Sequence, residues 1–534
     1  MRRGTLWLML AALCALSGVG CTNSSRTQPV YTQNYTFYVN GQDSNGLVYG
    51  VAGVVTIGRS PSADGSFNVL GGKQDYNDGK ALTVVDDLLT GGKLVKQADG
   101  SAILTLVTTS KLPGVMGIET FAVFFSNADH ALITEFDGSA ASSGSLDLQT
   151  LTLSTVTPGV QTLPVIPSGS YAFVAYGADV AQMPIVYGGV WTVDPMTATV
   201  TGTLDVNDAG VVVTGTPIAA GPAFMQPDSL GRGIVTTNPG IGTSSSLVYY
   251  VVNQGAMRII DVDTTDTAVG SAYFQGFSTN FGPPSIGTSV FSIGSSLGLY
   301  AAAGEFTTAP GGTSSSFSGV GDENESLLNG NPPELAESID GTYTLQSSGY
   351  GSLTFTDPLG SMSTWGVYAV DPTVNIADPN NLMGTGGALT AEMDPNLVGI
   401  GSIVPQTDTS SGSFLGSYVF GGQGENVSFN EFDFAGSATV TALSFNGTGT
   451  LSDPFGAITG GVDADAATFK ATAAPDPSNP GRYTLNPIAV GTTASDFAPF
   501  DFNTVTAYQA YDGLLFWVEV DDGSVFLGSL EHNQ

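Results

Sequence analysis

Cysteine and histidine each occur only twice in 534 residues, and Lys and Arg together number 13. So few thiols and imidazoles exclude a disulfide framework and leave no zinc-binding spacing anywhere. Set against 47 Asp and Glu, the cations leave a net charge of −34. Nothing basic is available to neutralise phosphates, which excludes nucleic acid as a partner. Charged residues make up only 11% of the chain, whereas 42% are hydrophobic. An acidic disordered chain has the reverse balance, so this one folds. Beyond the N-terminus no apolar run reaches the ~18 residues of a membrane helix, and no phosphate-binding loop occurs.

Glycine is abundant, at 71 residues, and Ser and Thr accompany it. That composition belongs to turns and strands rather than helices. The length calls for three or four domains of roughly 100–200 residues each.

The N-terminus reads as an export signal over residues 1–20. Arg2 and Arg3 form a positive n-region, 6–16 is a short apolar h-region, and small residues lead into Cys21. The stretch Ser17-Gly18-Val19-Gly20-Cys21 resembles the lipobox of bacterial lipoproteins. The resemblance implies cleavage before Cys21, lipid attachment to it, and a membrane partner through that lipid. Thr22, in place of Asp, implies sorting to the outer membrane. Gly18-x-Gly20 also fits an ordinary small-x-small cleavage site, which would leave Cys21 a free thiol. Residues 21–34 read as a polar tether.

The body reads as four tandem β units, at 35–155, 165–280, 281–410 and 411–534. In the first, eight β-branched and aromatic runs alternate with turn signals such as Asp64-Gly65, Asp99-Gly100 and Asn77-Asp78-Gly79. The order then recurs. Tyr35-x-Phe37 is echoed by Tyr171-x-Phe173 and Tyr418-x-Phe420, and Asp75-x-Asn77-Asp78 by Asp205-x-Asn207-Asp208. Gly231-Arg232, Gly349-Tyr350 and Gly481-Arg482 open equivalent strands, and Asp137, Asp263 and Asp521 each precede a glycine by seven residues. Periods of about 120–135 residues are too long for solenoid repeats, so each unit is a domain. The expected class is all-β: antiparallel meanders closing as eight-stranded up-and-down barrels, with β-sandwiches as the alternative. The architecture is loosely similar to lipocalins. By pattern, the whole chain resembles glycine-rich β-repeat envelope lipoproteins, a likeness that brings no activity with it.

Four patterns carry candidate chemistry. Gly294-Ser295-Ser296-Leu297-Gly298 matches a nucleophile elbow with His532 downstream, but the sequence after it reads as strand where the elbow needs a helix. Asp75 and Asn77, and Asp205 and Asn207, place oxygen ligands at alternate positions as a calcium loop begins, yet Lys80 stands where such a loop needs glycine. Hairpin turns are the stronger reading, with calcium as the one cofactor in view. The pairs Glu135/Asp137, Asp261/Asp263 and Glu519/Asp521 share a strand face and could contact a ligand or a cation. Three copies argue against catalysis, which needs one. In 514–520 the face bearing Phe516 and Val518 reads as core, which turns Trp517 outward, toward a ligand or an interface. Most of the 47 acids are expected on the outer surface, their repulsion holding the units apart. The sum points to a non-catalytic, lipid-anchored envelope protein that binds surface proteins or polysaccharide. Alternatives are an extracytoplasmic hydrolase using an Asp/Glu pair and a small-ligand barrel.

Overall fold

A computed structural model describes residues 32–533 apart from 111–116, 152–167, 238–244, 277–280, 282–286, 296–299, 310–313, 326–329, 357–361, 454–463, 492–499 and a few single or paired positions. Every described element is a β-strand, and every pairing is between antiparallel neighbours. The first unit runs from β1 (Thr32–Asp43) to β8 (Ala140–Leu148) and the second from β9 (Gly169–Asp179) to β17 (Asp266–Phe274). The third runs from β18 (Thr288–Gly294) to β25 (Ile400–Pro405), and the fourth from β26 (Gly416–Asn426) to β34 (Ser524–His532). β1 thus begins inside the stretch read as tether.

Units one and three are closed eight-stranded barrels. The fourth closes through pairing of β29 (Ala464–Pro475) with β30 (Arg482–Gly491), with β31 (Phe500–Phe502) as an extra strand on β30. In the second, β12 (Val211–Gly221) and β13 (Phe224–Met225) are the two ends of a nine-stranded sheet. Meander connectivity follows from the turn chemistry: positive φ at Gly65, Gly79 and Gly100 supplies reversals that an L side chain would strain. The sandwich alternative is set aside.

Each barrel interior is filled by its own side chains. Phe37 and Phe121 meet in the first barrel, Phe173 stacks on Trp191 in the second, Phe291 packs on Trp365 in the third, and Phe420 on Trp517 in the fourth. Four further apolar clusters lie outside the barrels, one at each contact between units. Ala52 and Val54 meet Val248 and Tyr250, and Val186 and Val190 join Tyr368 and Leu389. Val290 and Ala303 meet Phe516 and Val518, and Phe124 of the first unit meets Val419 and Ala435 of the fourth. The units therefore form a closed ring, each seated on the next and the last on the first.

Two expectations are corrected here. The units are packed together rather than held apart by repulsion, and nineteen acids among the described residues are buried. Some pair with a cation, as Asp75 and Asp147 do, some accept neutral hydrogen bonds, as Asp43 and Asp378 do, and burial holds others, such as Glu119 and Glu425, above the usual carboxylate range. Trp517 is fully buried inside the fourth barrel, donating from Nε1 to the Gly421 carbonyl at 3.1 Å, while the Phe516 face forms the contact with the third unit. A two-residue period separates two faces but does not tell a barrel interior from a barrel–barrel contact when both are dry.

Candidate functional site

Two kinds of polar site emerge, the contacts between units and the ring axis. At the contacts, the residues read as calcium ligands act as latches. Asp75 sits at a bulge in the third strand of the first unit, where its outward carboxylate crosses to the second unit. Arg232 grips it with two bonds of 2.8 Å, and the Tyr250 hydroxyl donates at 2.6 Å. Asp205 repeats this toward the third unit, accepting from Tyr350 at 2.8 Å and Tyr368 at 2.7 Å. Asp322 repeats it toward the fourth, accepting from Arg482 at 2.7 and 2.8 Å and Tyr508 at 2.5 Å. In each case a bulge residue of positive φ, Asp86, Gly215 or Ala336, donates its backbone N–H to the same carboxylate.

The asparagines two residues on form the second part of the latch. Asn77 donates its amide to the carbonyls of Asp261, Asp263 and Asp266 at 2.7–3.0 Å. Asn207 does so to Glu392, Asp394 and Leu397, and Asn324 to Glu519, Asp521 and Ser524. The pairs Asp261/Asp263 and Glu519/Asp521 are thus strand-end turns whose carbonyls receive the preceding unit's asparagine, whereas Glu135/Asp137 receives none. The structure adds a fourth pair, Glu392/Asp394, which the sequence reading missed. Glu135, Glu392 and Glu519 are buried, and burial pushes all three carboxyls well above the usual range. Glu135 accepts from Tyr49 and Ser142, and Glu519 from Ser524. Calcium at Asp75/Asn77 or Asp205/Asn207 is not what the geometry offers, because these oxygens already hold protein donors. Among the described residues one set of carboxylate oxygens, on Asp261, Asp263 and Asp266, lies within 4.8 Å of one another. It surrounds the turn that Asn77 staples.

The fourth contact lacks the latch. Strand register places Thr450 where Asp75, Asp205 and Asp322 stand, and Ser452 where the asparagines stand. Turn hydrogen bonds place Ser101 where Arg232, Tyr350 and Arg482 stand, and Phe124 falls opposite it in place of the tyrosines. Ser452 makes one long bond, 3.4 Å, to the Ala140 carbonyl. Gln149, Gln275 and Gln406 each donate to a carbonyl of the following unit, whereas the equivalent Asn533 is exposed.

The second site is a cavity of about 370 Å³ on the ring axis, lined by all four units. The last strand of each barrel crosses its first at a glycine facing this axis: Gly144, Gly270, Gly401 and Gly528. A Cβ at any of them would fall 1.9–2.1 Å from a carbonyl oxygen of the first strand. These are the glycines seven residues after Asp137, Asp263, Asp394 and Asp521, so the recurrence in the sequence marks where each unit's last strand pairs with its first. Each is followed by serine (Ser145, Ser271, Ser402, Ser529), giving the cavity a ring of hydroxyls.

The four quarters differ one layer out. Cross-strand pairing sets Arg258 in the second unit against Leu132, Leu389 and Phe516 in the others. Arg258 binds Asp147 of the first unit through two nitrogens at 2.6 and 3.0 Å, and also reaches Ser271 and Tyr273. His130 bonds Asp147 through Nδ1 at 2.7 Å and faces the Glu531 carboxylate of the fourth unit from Nε2 at 3.1 Å. Burial alone would lower the imidazole pKa, but the Glu531 and Asp147 carboxylates outweigh it and hold the ring protonated well above its ordinary value. For Asp147 burial works upward, and Arg258 and His130 overcome it to hold the carboxyl well below the usual range. An imidazolium between two carboxylates has no lone pair with which to accept a proton. No hydroxyl bonds to its ring among the described residues.

Cys21, the signal at 1–20 and Ser296 lie outside the described residues. The sequence reading missed His130, Asp147, Arg258 and Glu531. Their signal was the rarity of a buried-strand histidine or arginine in so acidic a chain.

No protein-family model and no curated protein sequence matches the chain. Among solved structures, similarity is found to a putative AttH from Nitrosomonas europaea, at 10% identity over 45% of this chain and 91% of that one, with a TM-score of 0.17. The P pilus usher (PapC) translocation pore is 8% identical over 93% and 98% of the two chains, at 0.15. OccK2 (OpdF) of Pseudomonas aeruginosa in complex with glucuronate is 8% identical over 94% and 97%, at 0.14. Likeness at this level does not bear on function.

Proposed function

We propose that this chain is an exported, lipid-anchored, non-catalytic binding protein of the cell envelope, with its ligand site on the axis of the ring. The observation that carries the reading is the contrast between filled barrel interiors and a mainly apolar cavity with a few polar groups where the four units meet. Ligand sites form preferentially between packed domains, with a few convergent polar groups among apolar walls. The recurring acid pairs favour binding over hydrolysis, because the backbone of three of them is committed to holding the ring together and the first carboxyl of each pair is buried. The ring offers its outer loops to surface proteins or polysaccharide. Anchoring rests on the residues before Cys21.

Replacing Cys21 by Ser should move the protein from the membrane to the soluble fraction on cell fractionation, with loss of the lipid's mass. A variant that stays membrane-bound at unchanged mass rules out the anchor. Cleavage of generic ester, peptide or glycoside substrates by the purified chain, abolished by one Asp or Glu substitution, rules out the non-catalytic reading.

A further inference from the structure

We infer that the axial cavity takes an uncharged, polyhydroxylated molecule the size of a single sugar ring; this rests on the binding role proposed above. Charge gives the first argument. The cavity wall carries the cationic side chains Arg258 and His130 and the carboxylate of Glu531, and Asp147 is bonded to both cations; all four are buried. They are consumed by one another: Arg258 spends its nitrogens on Asp147, Ser271 and Tyr273, and His130 lies between Asp147 and Glu531. An ionic ligand would have to break a pair made in a dry site, which leaves an uncompensated charge behind. The network therefore rejects ions while giving the cavity a rigid polar wall.

Hydrogen bonding gives the second argument. Ser292, Ser402 and Ser529 face the cavity, and their hydroxyls have no hydrogen-bond partner among the described residues; the Asn40 side-chain amide is likewise unbonded there. Ser292 and Ser402 stand directly opposite on neighbouring strands. Each hydroxyl both donates and accepts, and the amide adds two donors and an acceptor. Such groups match a ligand whose own groups do the same, which is the property of alcohols rather than of carboxylates, phosphates or amines.

Shape gives the third. Leu389 and Phe516 occupy the positions that Arg258 holds in the second unit. With Leu132, three of these four positions are hydrocarbon, set beside the serine hydroxyls, a pairing suited to a ring with C–H faces and an equatorial belt of hydroxyls. A volume of about 370 Å³ lies at the small end of ligand sites and admits one such ring, not a chain of them.

The test is isothermal titration of the purified full chain, in detergent, with D-glucose, D-galactose and D-mannitol, and with D-glucuronate as the anionic control. At least one neutral compound should bind with a millimolar or tighter Kd, at least tenfold tighter than glucuronate. Ser402→Leu, which fills the cavity, should weaken that binding at least tenfold while the circular dichroism spectrum is unchanged. Ser529→Ala, a milder change, should weaken it several-fold. The inference is overturned if none of the three binds at 50 mM, if glucuronate binds equally well, or if both variants bind like the parent. A diverse small-molecule thermal-shift screen separates the two levels. A hit of another chemical class that Ser402→Leu abolishes overturns the sugar assignment and keeps the axial binding role. The absence of any hit removes both.

Discussion

Asp75→Ala is expected to destabilise the protein by about 3–5 kcal/mol, read as a lower midpoint in urea or thermal unfolding. Asp75 is fully buried, and its removal leaves the Arg232 guanidinium with only the half-exposed Asp86 carboxylate, 3.9 Å away, and takes the carboxylate acceptor from the Tyr250 hydroxyl. Breaking a buried pair from one side costs this much because the remaining charge has lost both water and partner. Asp322→Ala should cost less, because Arg482 keeps its ion pair with Asp476 at 3.1 Å while Tyr508 loses its carboxylate acceptor. The informative control is Thr450→Val at the equivalent place in the fourth contact. Among the described residues no cation or tyrosine bonds to it, so the change should stay within about 1 kcal/mol. Equal effects at Asp75 and Thr450 would contradict the latch.

Stability should also fall steadily as pH rises from about 5 to 8, the reverse of acid denaturation. Burial raises Glu119 to about 8, only partly offset by the hydrogen bond from Gln74. Burial, with Asp433 adding to it, likewise raises Glu425 to about 8. Each carboxyl stays protonated in the folded chain and ionises in the unfolded chain near its ordinary value of 4.5. Between those values folding takes up protons. Their stabilising contribution is full below about 4.5 and is lost as pH climbs toward 8, at about 1.4 kcal/mol per pH unit for each group. His130 acts in the same direction. Its folded pKa is raised, so its contribution is full below the unfolded value near 6.5 and disappears as pH passes through the folded one. Asp147, with its depressed pKa, works oppositely and only in acid. Urea unfolding at half-unit pH intervals checks the slope, and Glu119→Gln, which mimics the protonated group, should remove about one group's share. A flat profile from pH 5 to 8 would refute the assignment of protonated buried acids.

The strands were legible because each is bounded by residues that force a turn, as at Asp64-Gly65 and Asp99-Gly100. The latches were half legible. Asp75-x-Asn77 and Gly231-Arg232 both stood out as repeated, but a local reading assigns each to its own turn. Their contact joins residues 157 positions apart, a separation that no periodicity reports. One clue was available: the unit whose third strand carries Thr450 instead of Asp is the last, and the unit lacking an arginine or tyrosine after the turn glycine is the first, at Ser101. Donor and acceptor vanish together at the one contact that joins the chain's two ends. The outward placement of Trp517 failed for a different reason. Strand alternation carries two apolar faces in these barrels, and only the partner decides which is inside.

The closing contact between the first and fourth units has a further consequence. Four identical subunits around an axis would be bound by rotational symmetry, so an arginine at the place of Arg258 would appear four times, with its charge facing three copies of itself. Joining the quarters in one polypeptide releases that constraint. Arg258, Leu132, Leu389 and Phe516 can then differ at one structural address, and the axis becomes lopsided, able to tell one end of a guest from the other. Fusion also fixes the copy number. A fifth repeat would find no gap to enter, so this architecture cannot lengthen as a stack of repeats does and can diversify only by substitution within the four it has.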